Sequence, residues 1–115
     1  MSAFESFEIN IVASVGGKTI AIQTSASGSS IAGVLDTTAA YSPHIQIANA
    51  GTSWAWCRMS SEAAPTATQS DLPLAPNSVR IYANPVPNGK LGIAVLVSVS
   101  SSQFVYFSPG QGGIS

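Results

Sequence analysis

The sequence predicts an all-β chain: a single-domain antiparallel β-sandwich, or a jelly-roll-like small barrel, of about seven to eight strands. Three observations lead there. Short runs of alternating apolar and polar residues recur along the chain, separated by Gly, Pro, Asn and Ser turns. No window of helical length carries apolar side chains at helical spacing without a Gly, a Pro or a Ser/Thr cluster breaking it. A length of 115 residues suits one domain with one core. No fixed-period repeat is present, so neither a solenoid nor a propeller is indicated.

The first run, Phe7 to Ile11, places Phe7, Ile9 and Ile11 on one face, and Gly16-Gly17 marks a tight turn after it. Lys18 to Thr24 follows with Ile20 and Ile22 inward, so the two runs read as a β-hairpin. Ser25 to Ser30 is a connector. The stretch Ile31–Ala40 holds Gly33 and two threonines and is expected to form at most a short helical turn. His44 to Asn49 pairs Ile45 and Ile47 on one face, and Asn49-Ala50-Gly51-Thr52 turns the chain.

Ser53 to Met59 puts Trp54 and Trp56 on one face and Ala55, Cys57 and Met59 on the other. Ser60 to Asn77 is too long for an ordinary loop and contains Pro65, Pro73 and Pro76, so it is no central strand. Leu72 and Leu74 are expected to tuck it onto the body. Ser78 to Tyr82 is a strand with Val79 and Ile81 inward, and Pro85 to Gly89 is a turn. Lys90 to Val99, the most apolar run, reads as a central strand covered on both faces. Gln103 to Phe107 carries Phe104 and Tyr106 on one face, and Ser108 to Ser115 is a Gly-rich tail.

Charge is scarce: four Lys or Arg and five Asp or Glu, 8% of the chain, against about 25% in ordinary domains. A surface so poor in charge fits a protein whose faces are covered in an assembly, because charged residues are depleted at contact cores. The four cations, Lys18, Arg58, Arg80 and Lys90, are scattered, which argues against nucleic acid as a partner. The longest apolar stretch, Leu91 to Val97, falls far short of the ~20 residues a membrane span needs. The opening residues lack the basic and apolar regions of a signal peptide, so a soluble, unprocessed chain is expected.

Residues for chemistry are also scarce, and no enzyme is expected. His44 is the one histidine and follows Pro43 at the start of a strand, where a surface or turn role is expected. Cys57, the one cysteine, reads as a small buried hydrophobe and precludes an intrachain disulfide. One Cys and one His do not make a zinc site. Glu5, Glu8, Asp36, Glu62 and Asp71 show no spacing of a catalytic pair or calcium loop. No catalytic residue, metal ligand or cofactor is therefore assigned. The Trp54/Trp56 pair is the best binding feature, suited to stacking a sugar or base or anchoring a partner, although a core role, with one Trp buried under the opposing sheet and the other at its rim, is the preferred reading.

Four stretches carry a resemblance: Ile45 to Arg58 (IQIANAGTSWAWCR), Ala67 to Leu74 (ATQSDLPL), Ser78 to Tyr82 (SVRIY) and Val105 to Gly112 (VYFSPGQG). Together they resemble small virion proteins of tailed bacteriophages, of the capsid decoration or cement type. The resemblance covers about Ile45 to Gly113 and brings no catalytic residues. It implies a structural protein on the capsid exterior, made in the host cytoplasm, that bridges capsomers. Its partners would be the major capsid protein and further copies of itself as a dimer or trimer. A head-fibre or tail component, or a carbohydrate- or receptor-binding β module, is the alternative. On this reading Phe4 in an N-terminal arm (residues 1–6), Phe7, Trp54, Leu72 and Leu74 of the 60–77 connector, and Tyr106 are the expected contact residues.

Overall fold

The computed structural model describes residues 8–9, 19–25, 27–38, 41–97 and 102–111. These residues form nine strands: β1 (Glu8–Ile9), β2 (Ile20–Gln23), β3 (Ile31–Asp36), β4 (His44–Asn49), β5 (Ala55–Ser60), β6 (Leu72–Leu74), β7 (Ser78–Ala83), β8 (Lys90–Val97) and β9 (Phe104–Gln111). They build two antiparallel sheets. In the first, β9 has β1 and β2 on one side and β4 on the other, with β7 beyond β4 as an edge. The second runs β3-β8-β5-β6. Among the described residues no strand pairs across both sheets, so the architecture is a two-sheet sandwich and not a closed barrel.

The pairing follows a simple rule. β2 pairs with β9, β3 with β8, β4 with β7 and β5 with β6. The chain is thus one long antiparallel ribbon, out through four strands and back through four, closed by the β5–β6 connector. Wrapping the ribbon on itself adds two further pairings, β4 with β9 and β5 with β8. Every other connection between successive strands from β2 onward passes from one sheet to the other.

The wrapped interior takes the inward residue of each alternating pair. Ile45, Ile47, Val105 and Phe107 of the first sheet meet Leu35, Leu91, Ile93, Val95 and Val97 of the second, all essentially inaccessible. Each such side chain contributes about 1.5–3 kcal/mol by leaving water. The expectation for Lys90 to Val99 holds over the described part: Leu91 to Val95 are buried without interruption, on both faces.

Two polar clusters tie the connections at the ends of the sandwich. At one, buried Asn49 donates through Nδ2 to the carbonyls of Ser53 (3.0 Å), Leu74 and Ala75 (3.2 Å each), and Gln103 donates to Asn49 Oδ1 at 2.8 Å. Gly51 is required there, because a Cβ would collide with the Gln103 side chain. At the other, buried Thr37 donates to the Val86 and Gly89 carbonyls, and Asn84 donates to the Ser42 carbonyl at 2.8 Å. Buried amides and hydroxyls are tolerated because each is bonded.

Five expectations change. Ser108 to Gln111 are not part of a tail but the second half of β9, paired with β4 and β1. Ile31–Asp36 is strand β3, not a helical turn: pairing with β8 outweighs the glycine, and Ile31, Gly33 and Leu35 lie opposite Val95, Ile93 and Leu91. β1 and β2 are not a hairpin; both run antiparallel to β9, β1 beside its C-terminal end and β2 beside residues 104–107. Gly16 and Gly17 lie outside the described residues. Val79 and Ile81 face outward, because β7 pairs Tyr82 with Ile45 and Arg80 with Ile47, and Tyr82 supplies that edge's apolar contact with the core. The tryptophans are not core: Ala55 and Cys57 take the inward positions of β5, and Trp54 is 51% exposed.

The long connector adds strand β6, which pairs only with residues 55–57 of β5 and leaves its other side as a sheet edge. That placement suits Pro73, which has no N–H to give. The rest of the connector folds back over the outer face of its own sheet. The Glu62 carbonyl lies against Gly92, where a Cβ would collide with it. Ala67 is buried and its N–H donates to Ser30 Oγ at 2.9 Å.

Candidate binding surface

Among the described residues the groups with reactive chemistry are distributed over both sheets. Cys57 lies on β5, buried, and burial pushes its thiol up to about 12. It is protonated at neutral pH and is no nucleophile. His44 begins β4 in the other sheet. Asp36 accepts from the N–H and hydroxyl of Thr38, and those bonds hold its carboxyl below the ordinary 3.8. Asp71 accepts from Thr68 and from Arg58 Nε at 3.0 Å. Among the described residues no three of His, Cys, Asp and Glu come together as metal ligands would.

What the fold offers is surface, in two places. The first is the outer face of the first sheet. The register places Ala21, Tyr106, Ala48 and Val79 in one row across four strands. The alanines on either side leave the Tyr106 ring standing proud. Phe104, two residues before it, stacks on Tyr106 with ring centroids 6.1 Å apart. Val79 is 58% exposed, Phe104 43% and Tyr106 37%. No outward position of β2, β4, β7 or β9 is Lys, Arg, Asp or Glu. A row of exposed apolar groups without a charged neighbour is the composition of a contact core.

The second place is the open seam of the sandwich, where edge strands β6 and β7 of the two sheets meet. A cleft of about 290 Å³ opens there, lined by Trp54, Leu72, Pro73, Ala75, Arg80 and Tyr82. It joins an exposed indole, a phenol and a guanidinium on apolar walls. Burial raises the Tyr82 hydroxyl above its ordinary 10.0, with Arg80 pulling the other way, so the phenol is protonated at neutral pH.

The expected contact residues divide accordingly. Trp54 and Leu72 come together in the cleft. Tyr106 lies on the bare sheet face. Leu74 is 2% exposed and fills the core, so it offers no surface. Phe4 and Phe7 lie outside the described residues. Sequence reasoning missed Val79, because the alternation of β7 was assigned to the opposite face. Tyr82 is among the aromatics that motivate the carbohydrate- or receptor-binding alternative; Arg80 is missed as a cleft residue because nothing in SVRIY reveals that β7 ends a sheet. Comparison with protein-family models, curated proteins and solved structures finds no match for this chain.

Proposed function

We propose that the protein is a non-enzymatic structural component of a virion, a capsid decoration protein that holds neighbouring capsomers through its bare sheet face. The observation that carries this reading is the Phe104–Tyr106–Val79 surface, apolar, exposed and without a charged neighbour. The ribbon pairing of β2 to β9 supports it: we read that strand order as a jelly roll, a fold frequent in capsid and lectin domains, though a fold by itself carries no function. The low overall charge and the resemblance to phage virion proteins point the same way. Self-association as a dimer or trimer fits a symmetric lattice that repeats each weak contact many times. The partner is then the major capsid protein, at the capsid exterior, with no cofactor.

Counting copies in purified particles tests the reading. Decoration predicts on the order of hundreds per particle, as lattice symmetry requires, and particles without the protein should lose heat stability. A handful of copies would favour a fibre or tail position instead. The exposed Trp54 in the seam cleft favours a second reading, a carbohydrate- or receptor-binding module.

A further inference from the structure

The seam cleft has a chemistry more specific than apolar contact. Trp54 presents half its surface although the chain has a core to hide it in. A flat indole at the rim of a concavity stacks well against the C–H face of a pyranose ring. Arg80 stands beside it with no acidic partner among the described residues; the one described ion pair uses Arg58 and Asp71. An uncompensated guanidinium is a fork for a carboxylate. Tyr82, protonated at neutral pH, has an O–H to donate.

The walls are also held in place. The Asn49 amide, at the end of β4 and opposite Ser78 of β7, fastens the Ser53 carbonyl, next to Trp54, and the Leu74 and Ala75 carbonyls on the same wall as Trp54. Gln103 holds the same Ser53 carbonyl at 2.9 Å. A buried polar cluster thus ties the β5–β6 wall of the cleft to the sheet that carries β7, which lowers the ordering cost of binding. The volume of about 290 Å³ sits at the small end of ligand sites, roughly 300–1,000 Å³. That is room for one ring and not for a length of polymer.

We propose that the cleft between β6 and β7 is a binding site for a single carboxylate-bearing sugar residue of the uronic acid type, held by stacking on Trp54 and by a carboxylate–Arg80 pair. This rests on the second reading above and names the ligand class for it.

Methyl glucuronide and methyl glucoside, identical but for the carboxylate, are the probes. They are titrated into a Trp56→Phe protein, in which Trp54 is the remaining fluorophore. The glucuronide should shift Trp54 emission saturably. The glucoside should bind at least about tenfold more weakly, the worth of one charge-assisted pair. Arg80→Gln should erase that preference, Arg80→Lys should keep part of it, and Trp54→Ala, read by NMR shifts, should lose both sugars. Trp54 and Arg80 lie outside the core, so melting temperatures should stay close to that of the parent protein. Equal affinity for the two sugars would overturn the acidic-sugar assignment and leave carbohydrate binding standing. No saturable response to either sugar would overturn both. Tighter binding of an acetylated acidic dipeptide would overturn the sugar in favour of a peptide carboxylate.

Discussion

The two sheets treat their outer faces in opposite ways. The outer face of the β3-β8-β5-β6 sheet is covered along β8 by its own chain: the connector after β5 lays Glu62 and Pro65 over Gly92, and Gly92 and Ala94 are buried, while Val34 of β3 beside them stays 45% exposed. The outer face of the β1/β2-β9-β4-β7 sheet receives no such strap from the described residues, among which Phe104, Tyr106 and Val79 are exposed. Both faces carry apolar side chains at their centre. On one the chain's own connector lies over them; on the other they stand open among the described residues. The lesson is that exposed hydrophobic area is informative only after the chain's own loops have been placed.

The sharpest way to break the contrast is to strip the closed face. Gly92→Val drives a side chain into the Glu62 carbonyl. Overpacking of this kind costs about 3 kcal/mol, the largest loss expected of the changes considered. Thermal unfolding should show the fall. Limited proteolysis should show where it comes from, with first cuts between residues 61 and 67. A variant that melts as the wild type does and resists cleavage would mean that the connector is not held by the face it covers.

Changing the bare face should have the reverse signature. Phe104→Ser combined with Tyr106→Ser removes two half-exposed rings and their mutual stacking, and should alter stability by no more than about 1 kcal/mol. Assembly should suffer instead. Sedimentation of the free protein, and cosedimentation with capsids that lack it, should show association lost while the melting curve scarcely moves. Unchanged association would remove the bare face from the proposed function.

The core was legible in the sequence wherever alternation was clean. IQI in β4, the continuous run of β8 and VYF in β9 each place their inward residues as period-two spacing says. Alternation failed at edges. In SVRIY both faces carry an apolar pair or an aromatic, and only the pairing of Ile45 with Tyr82 decides which looks inward. In SWAWC the bulkier face is expected inside, yet Ala55 and Cys57 are the buried pair and Trp54 is half-exposed, because alternation fixes which residues share a face and not which face looks inward. β3 was hidden because Gly33 weakens an isolated strand but costs little beside Ile93. The cleft was least visible: Trp54 and Arg80 are brought together by two sheet edges, which no local pattern encodes.

Acid should separate the two faces most gently. The connector's far end is anchored by Asp71, whose carboxylate accepts from the Thr68 N–H at 2.7 Å, from the Thr68 hydroxyl and from Arg58. The Thr68 N–H does most to hold this carboxyl below the ordinary 3.8; partial burial opposes it and Arg58 assists. A carboxyl that ionises more readily when folded favours the folded state above its ordinary value, and that contribution fades as pH falls through the lowered one. The stabilisation is therefore fully present at neutrality and is lost as pH falls from about 3.8 through the lowered value. NMR can follow it residue by residue. The Thr68 amide should titrate with a midpoint under 3.8, and Asp71→Asn should abolish the inflection. The Tyr106 amide, on the face that no described residue straps, should not respond. A Thr68 midpoint at or above the ordinary value would show that the anchor stores no preference for the folded chain. Tyr106 moving in step with Thr68 would show that the two faces are coupled through the core rather than independent.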